Sequence, residues 1–365
     1  MFKKKVCFFV FCFLSLFLFG SVRKDKIGVC QKAYRNALYF FDSEEYGKAL
    51  KYSEDAILFR KQMIEYEMET LKTSLSSRAV HSAGDNIKDI LSILEERKET
   101  ATINIIESYI QKKGYDFFDN SISNLLNYMD SLSVFPEAQK LIGDIYKLEG
   151  EYDFAEKYYL LALKNASVLD IPDEKFDILY MLAEISEFKK DYKSYEVRLL
   201  NILGEDNNYK NKSLRKAMIN TISGNNRASV DKFFKLYRAD SDLSLNAYIK
   251  LSEYYLSIKQ YKKALELSSL AVITSFTKIS KSLESRNLEF HTSSLSEFLN
   301  ECSFYNDIIE WGSENNVWKS FTSFSKIVIA NGYCDFAKEL LTILVDYLPD
   351  PYWQKDASII LSKIS

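Results

Sequence analysis

Proline occurs 4 times and glycine 11 times in 365 residues. Tight hairpins and sheet corners draw on both, so a turn-rich sheet protein is excluded. Histidine occurs only as His81 and His291, 210 residues apart, with no cysteine or carboxylate at ligand spacing. Zinc chemistry and histidine acid–base catalysis therefore find no support. The glycines stand singly at turns or helix crossings, never as a phosphate loop after a strand. The 48 Lys+Arg balance 51 Asp+Glu without a long single-sign run after the first few residues, which argues against a nucleic-acid binder. Cysteine gives no disulfide framework: of 5, two lie in the first 21 residues, and Cys30, Cys302 and Cys334 are an odd, scattered set. Acidic pairs such as Glu44-Glu45 and Glu95-Glu96 suit solvated turns and helix faces. No cofactor is implied, and the chain reads as a non-enzyme.

What is present is 47% hydrophobic, 15% aromatic and 27% charged residues, the make-up of a large helical protein. At the start, Lys3, Lys4 and Lys5 precede an uncharged tract from Val6 to Val22. The tract is shorter than the ~20 residues of a comfortable membrane span, so residues 1–21 read as a secretory signal cleaved near Gly20 or Ser21. An uncleaved N-terminal anchor is the alternative, because Leu18 and Phe19 stand where a small residue is usual before cleavage. Lipidation of Cys30 is disfavoured, since Arg23, Lys24, Asp25 and Lys26 separate it from the apolar core. The chain is expected to be exported, periplasmic or associated with the cell envelope. Without residues 1–21 it carries 45 basic and 51 acidic residues, a balance that favours solubility.

From about residue 28 onward apolar residues recur at spacings of three and four, so the deciding question is an internal period. Residues Glu149-Gly150-Glu151-Tyr152-Asp153-Phe154-Ala155 combine a turn glycine with an aromatic and a small residue. Ala162 follows seven residues after Ala155, and Gly143 and Tyr146 lie seven and four residues before Gly150. Two antiparallel helices would cross closely at Gly143, Ala155 and Ala162, with Tyr146, Tyr152 and Tyr159 filling the space around them.

This pattern resembles the tetratricopeptide repeat, a 34-residue helix-turn-helix family. Partial copies are anchored on Ala49, with Tyr46 and Ala56; on Ala264, with Tyr261 and Ala271; and on Ala337, with Gly332 and Pro349. The anchors Ala49, Ala155, Ala264 and Ala337 are 106, 109 and 73 residues apart, close to three, three and two repeats. Degenerate pairs are therefore expected near Ala83, Phe118, Tyr195, Val230 and Asn300. The resemblance implies an all-α, right-handed solenoid of stacked antiparallel pairs. Residues 28–203 would form the N-terminal repeats, 204–213 a polar interruption or hinge, and 214–365 the C-terminal repeats. A capping helix would begin at Asp350-Pro351.

In that family the concave face takes residues two, five, nine and twelve of each first helix. Carried onto this chain, those positions are Gln31, Tyr34, Leu38 and Phe41; Glu137, Lys140, Asp144 and Lys147; Asp177, Tyr180, Glu184 and Glu187; and Asn246, Ile249, Glu253 and Leu256. Acids outnumber bases six to two. The face implied is acidic in the middle and aromatic at its N-terminal end, carried by Tyr34, Phe41, Lys140, Asp144, Tyr180, Glu184, Glu187 and Glu253. It would suit a protein or peptide segment with Lys or Arg and apolar anchors. The resulting expectation is a protein–protein interaction scaffold of the bacterial cell envelope. The alternative is an accessory subunit of envelope assembly or solute uptake, holding a small or lipidic ligand inside the superhelix.

Overall fold

The computed structural model describes residues 24–76, 87–113, 122–224, 229–236, 239, 241–287 and 293–364. Every regular element among them is helical. The N-terminal segment 1–21, both histidines and the expected pair centres Ala83 and Phe118 lie outside these residues. The chain divides into two compact units, Met1–Ile178 and Leu179–Ser365. The division falls ahead of the expected hinge at 204–213.

The first unit contains α1 (Lys24–Asp42), α2 (Tyr46–Ser76), α3 (Ile87–Glu96), α4 (Thr100–Lys113), α5 (Ile122–Ser131), α6 (Pro136–Leu148) and α7 (Tyr152–Lys164). Helix α8 (Glu174–Phe188) spans the division. The second unit continues with α9 (Tyr192–Leu203), α10 (Asn207–Lys210), α11 (Lys212–Ser223), α12 (Ser229–Lys235), α13 (Leu245–Ser257) and α14 (Tyr261–Arg286). It ends with α15 (Leu295–Cys302), α16 (Asn306–Glu314), α17 (Val317–Ala330), α18 (Cys334–Tyr347) and α19 (Pro351–Leu361).

Six hairpins share one turn. A residue with left-handed φ (Glu44, Lys98, Gly150, Lys190, Lys259 or Gly332) follows the first helix of each. The next N–H donates five residues back, as Glu151 to Tyr146 O at 2.8 Å and Gln260 to Tyr255 O at 2.8 Å, closing the first helix. The carbonyl of that same residue then accepts the first bond of the second helix, from Ala49, Ile103, Ala155, Tyr195, Ala264 or Ala337. Five of these six are positions the sequence placed at the start of a second helix. The sixth, Ile103, is a second-helix start that the repeat phase did not place; it lies between the pairs expected near Ala83 and Phe118, whose centres are outside the described residues. Asn300 does not occupy such a position: it is exposed near the end of α15.

The reason for both departures is helix length. At 31 and 26 residues, α2 and α14 are about twice the other hairpin helices, and each serves two packing tasks. The near half of α2 packs on α1, where Ala37 and Ala49 meet Leu141 and Ile145 of α6, and Ala33 and Ala56 meet Phe135 and Ala138. Its far half carries Met63, Ile64 and Leu71 into a core with Ile87, Ile90, Leu94, Ile106, Tyr109, Leu125 and Met129 from α3, α4 and α5. Hairpin α6/α7 thus docks directly on α1/α2, and α3–α5 gather on the extension.

The second unit repeats the device. The near half of α14 pairs with α13, and the turn of α17/α18 is tied to the start of α14 by Asn331 Nδ2 to Tyr261 O at 3.0 Å. Farther along, Phe276 meets Phe234 of α12 and Phe298 of α15, with centroids 5.3 and 4.2 Å apart. Phe233 reaches Phe324 and Phe336 of α17 and α18. Wrapped in this way, α14 is buried on every side from Leu267 to Thr277, and small Ser, Thr and Ala side chains let its neighbours approach. The expected pair at Val230 exists as α11/α12, but α13 packs on α9 rather than on that pair. The stretch 204–213 contains α10, capped by the Asp206 carboxylate accepting from the Asn208 N–H at 2.7 Å. Tyr209 carries the Arg215 guanidinium over its ring, and Arg215 pairs with Glu266, so this stretch is pinned to the unit. Helix α19 covers α17 and α18, held by Lys326 to Asp356 at 2.8 Å.

Candidate binding site

Local structure places the first-unit candidates around α6. Pro136 at the start of α6 needs no hydrogen bond there, and the next residue, Glu137, points back into the protein with only 8% of its surface exposed. Its carboxylate accepts the Asp170 N–H at 2.7 Å. One turn on, Lys140 pairs with Asp144 at 2.9 Å, and Asp144 accepts from the Tyr159 hydroxyl at 2.6 Å. Tyr159 is fully buried because Gly143 leaves room for its ring: a Cβ on Gly143 would stand 2.8 Å from it. Tyr34 of α1 lies against Phe135, centroids 4.9 Å apart, and Arg60 of α2 covers that ring.

Glu137, Asp144, Asp170 and Glu174 surround Tyr34, and Lys140 faces Asp144, Glu174 and Asp177. Burial pushes the Glu137 carboxyl up to about 7, against the bond from Asp170 and helped by the Asp170 and Glu174 charges. Glu174 and Asp177 are also raised, first by loss of hydration, while Lys140 opposes the rise. Burial raises the Tyr34 phenol far above its usual range, with Glu137, Glu174, Asp144 and Asp170 adding to it. The sequence positions Tyr34, Lys140 and Asp144 are therefore brought together, with Glu137 and Asp177 beside them. Asp170 and Phe135 lie outside any first-helix position, and the sequence reading passed over them. Glu174 was missed for a related reason, since it lies two residues before the frame read for α8. The acid-rich run Asp170-Ile171-Pro172-Asp173-Glu174 was the available signal.

Phe41 does not join this cluster; it packs on Tyr46 beside the α1/α2 turn, centroids 5.9 Å apart. In the second unit the expected positions serve helix contacts. The Tyr180 hydroxyl donates to Leu243 O at 2.7 Å and accepts the Ala247 N–H at 3.2 Å, which fastens α8 to the start of α13. Glu187 faces Lys250 of α13 at 3.7 Å, and Glu253 faces Lys319 of α17 at 2.7 Å. Glu184 is half-buried on α8 and already engaged. The acidity expected there is thus offset by lysines the first-helix positions did not include. Triple replacement of Asp144, Glu184 and Glu253 by Lys, neutral for stability on exposed positions, would break two ion pairs and the Tyr159 bond.

Among the described residues no group of three or more His, Cys, Asp or Glu side chains is placed to hold a metal, and no helix is long and apolar enough to cross a membrane. A cleft of about 460 Å³ opens between α11 and α12, where its described lining is mainly Asn220, Thr221, Ser229, Lys232 and Lys235. No family model matches the chain. A protein of Treponema pallidum (strain Nichols), described as an uncharacterized protein, is 28% identical over 359 residues, covering 95% of this chain and 96% of its own.

Proposed function

We propose that the chain is a non-enzymatic interaction scaffold of the bacterial cell envelope, related to the tetratricopeptide repeat proteins and built as a solenoid with excursions. Its binding face is the acidic cluster of the first unit rather than a groove along the whole chain. The observation that carries this reading is a single cation, Lys140, facing the three carboxylates of Asp144, Glu174 and Asp177, with Asp170 and Glu137 adjoining them about Tyr34 and Phe135. Carboxylates in excess of their cation attract a further cation, and adjacent aromatic rings accept an apolar or guanidinium neighbour. The partner is a protein or peptide segment bearing Lys or Arg with apolar anchors. Export through the N-terminal segment, by a cleaved signal or a retained anchor, belongs to the same proposal and would bring the face to an envelope partner.

The test uses Glu174→Gln with Asp177→Asn, which removes two charges and leaves the Glu137, Asp144 and Tyr159 bonds in place. Fluorescence anisotropy with a labelled Lys/Arg-rich peptide carrying aromatic residues should show affinity that falls with added salt. The double variant should bind about tenfold more weakly, with a flatter salt response. Equal affinity and equal salt response in both proteins would overturn the proposal.

A further inference from the structure

The connection between α7 and α8 is held to α6 by two side chains. Glu137 accepts the Asp170 N–H at 2.7 Å, and Asn165 Nδ2 donates to Gln139 Oε1 at 3.3 Å. Between these ties lie a short 3₁₀ turn, Ala166–Val168, and the buried side chain of Leu169. Residues 170–173 are exposed, so the connection is a thin strap laid over a buried carboxyl. The groups that face Glu137 are Asp170 on the strap, Glu174 on α8 and Tyr34 on α1, with Lys140 one turn along α6 and paired to Asp144.

We propose that residues 165–173 form a proton-operated strap, closed over Glu137 when that carboxyl is protonated and loosened when it is ionised. The physical reason is that closure removes Glu137 from water and sets it against two acids. The ionised form gains by letting water in, whereas the neutral form does not. Neutral Glu137 still accepts the Asp170 N–H through its carbonyl oxygen, so closure survives protonation. The direction follows from linkage. The closed carboxyl titrates at about 7 and an open, hydrated one near 4.5, so the bias toward closure is full below about 4.5 and lost as pH rises through about 7. This inference is independent of whether the acidic cluster binds a cationic segment.

Hydrogen exchange of the full chain, corrected for the chemical exchange rate at each pH, reads the strap directly. Protection of the 166–170 amides should fall about tenfold or more between about pH 5 and pH 7 and level off above. Glu137→Gln keeps the acceptor for Asp170 and removes the charge, so its strap should stay protected with no pH response. Carbon NMR of the wild-type Glu137 carboxyl gives a check that needs no variant, and Asp170→Asn should move its midpoint downward. The proposal is overturned by pH-independent protection in the wild type, by an unchanged response in Glu137→Gln, or by a Glu137 midpoint in the ordinary carboxylate range.

Discussion

Two glycines show how single side chains set the helix spacing. Gly312 lies under the indole of Trp318, which is fully buried and donates Nε1–H to Ile309 O at 3.0 Å; a Cβ at 312 would overlap the ring. Gly143 stands in the same relation to Tyr159. Gly312→Ala must displace the indole and break its bond, and we expect a loss of ~2–4 kcal/mol in chemical denaturation. Gly143→Ala should cost ~1–3 kcal/mol, because Tyr159 must shift away from Asp144. A Gly312→Ala protein that melts with the wild type would show that the Trp318 ring has room to move. Gly143 was readable from the sequence, being the small residue seven before a turn glycine. Gly312 was not, because its partner Trp318 belongs to a helix whose packing depends on α14 extending beyond the repeat length.

At the scale of elements, the shared hairpin turn yields a paired prediction. Four of the six left-handed positions hold Glu or Lys, each carrying the Cβ strain of that conformation, and two hold glycine. Lys190→Gly and Lys259→Gly should each raise stability by up to ~1 kcal/mol, whereas Gly150→Ala and Gly332→Ala should lower it by about 1 kcal/mol. Melting temperatures of the four single variants check the sign of each change. The turns also explain how far the elements could be read in advance. Where Tyr, Ala or Gly marked the turn, at Ala49, Ala155, Ala264 and Ala337, the hairpin was found. At Ile103 the helix start carries a β-branched residue and the preceding turn is Arg97-Lys98-Glu99, so nothing local distinguished it from a solvated helix face. The candidate site was legible to the same degree. Tyr34, Lys140 and Asp144 followed from the repeat phase, while Asp170 and Phe135 belong to segments between hairpins that no repeat phase describes. In the second unit, Lys250 and Lys319 sit off the first-helix positions, so the pairing that offsets Glu187 and Glu253 could not be seen from the acidic positions alone.

For the whole molecule, the four strong anchors all fall at hairpin starts, but the segments between them do not follow the repeat phase, as Ile103 shows. Each of α2 and α14 extends past its partner and gathers helices on the extension, while the next strong hairpin returns to the near end. Leu141, 4% exposed between α1, α2 and α6, joins residues roughly a hundred positions apart in the chain. Leu141→Ala should therefore cost ~2–5 kcal/mol and lower exchange protection in α1 and α2 as well as in α6. Protection lost only within α6 and α7 would contradict this return packing. An array in which every hairpin touches only the next one can fray from its ends, one repeat at a time. Here the long helix is clasped at its near half by α1 and the sequence-distant α6 and at its far half by α3–α5, so the first unit should melt as one cooperative block, and partly unzipped forms should be scarce at equilibrium.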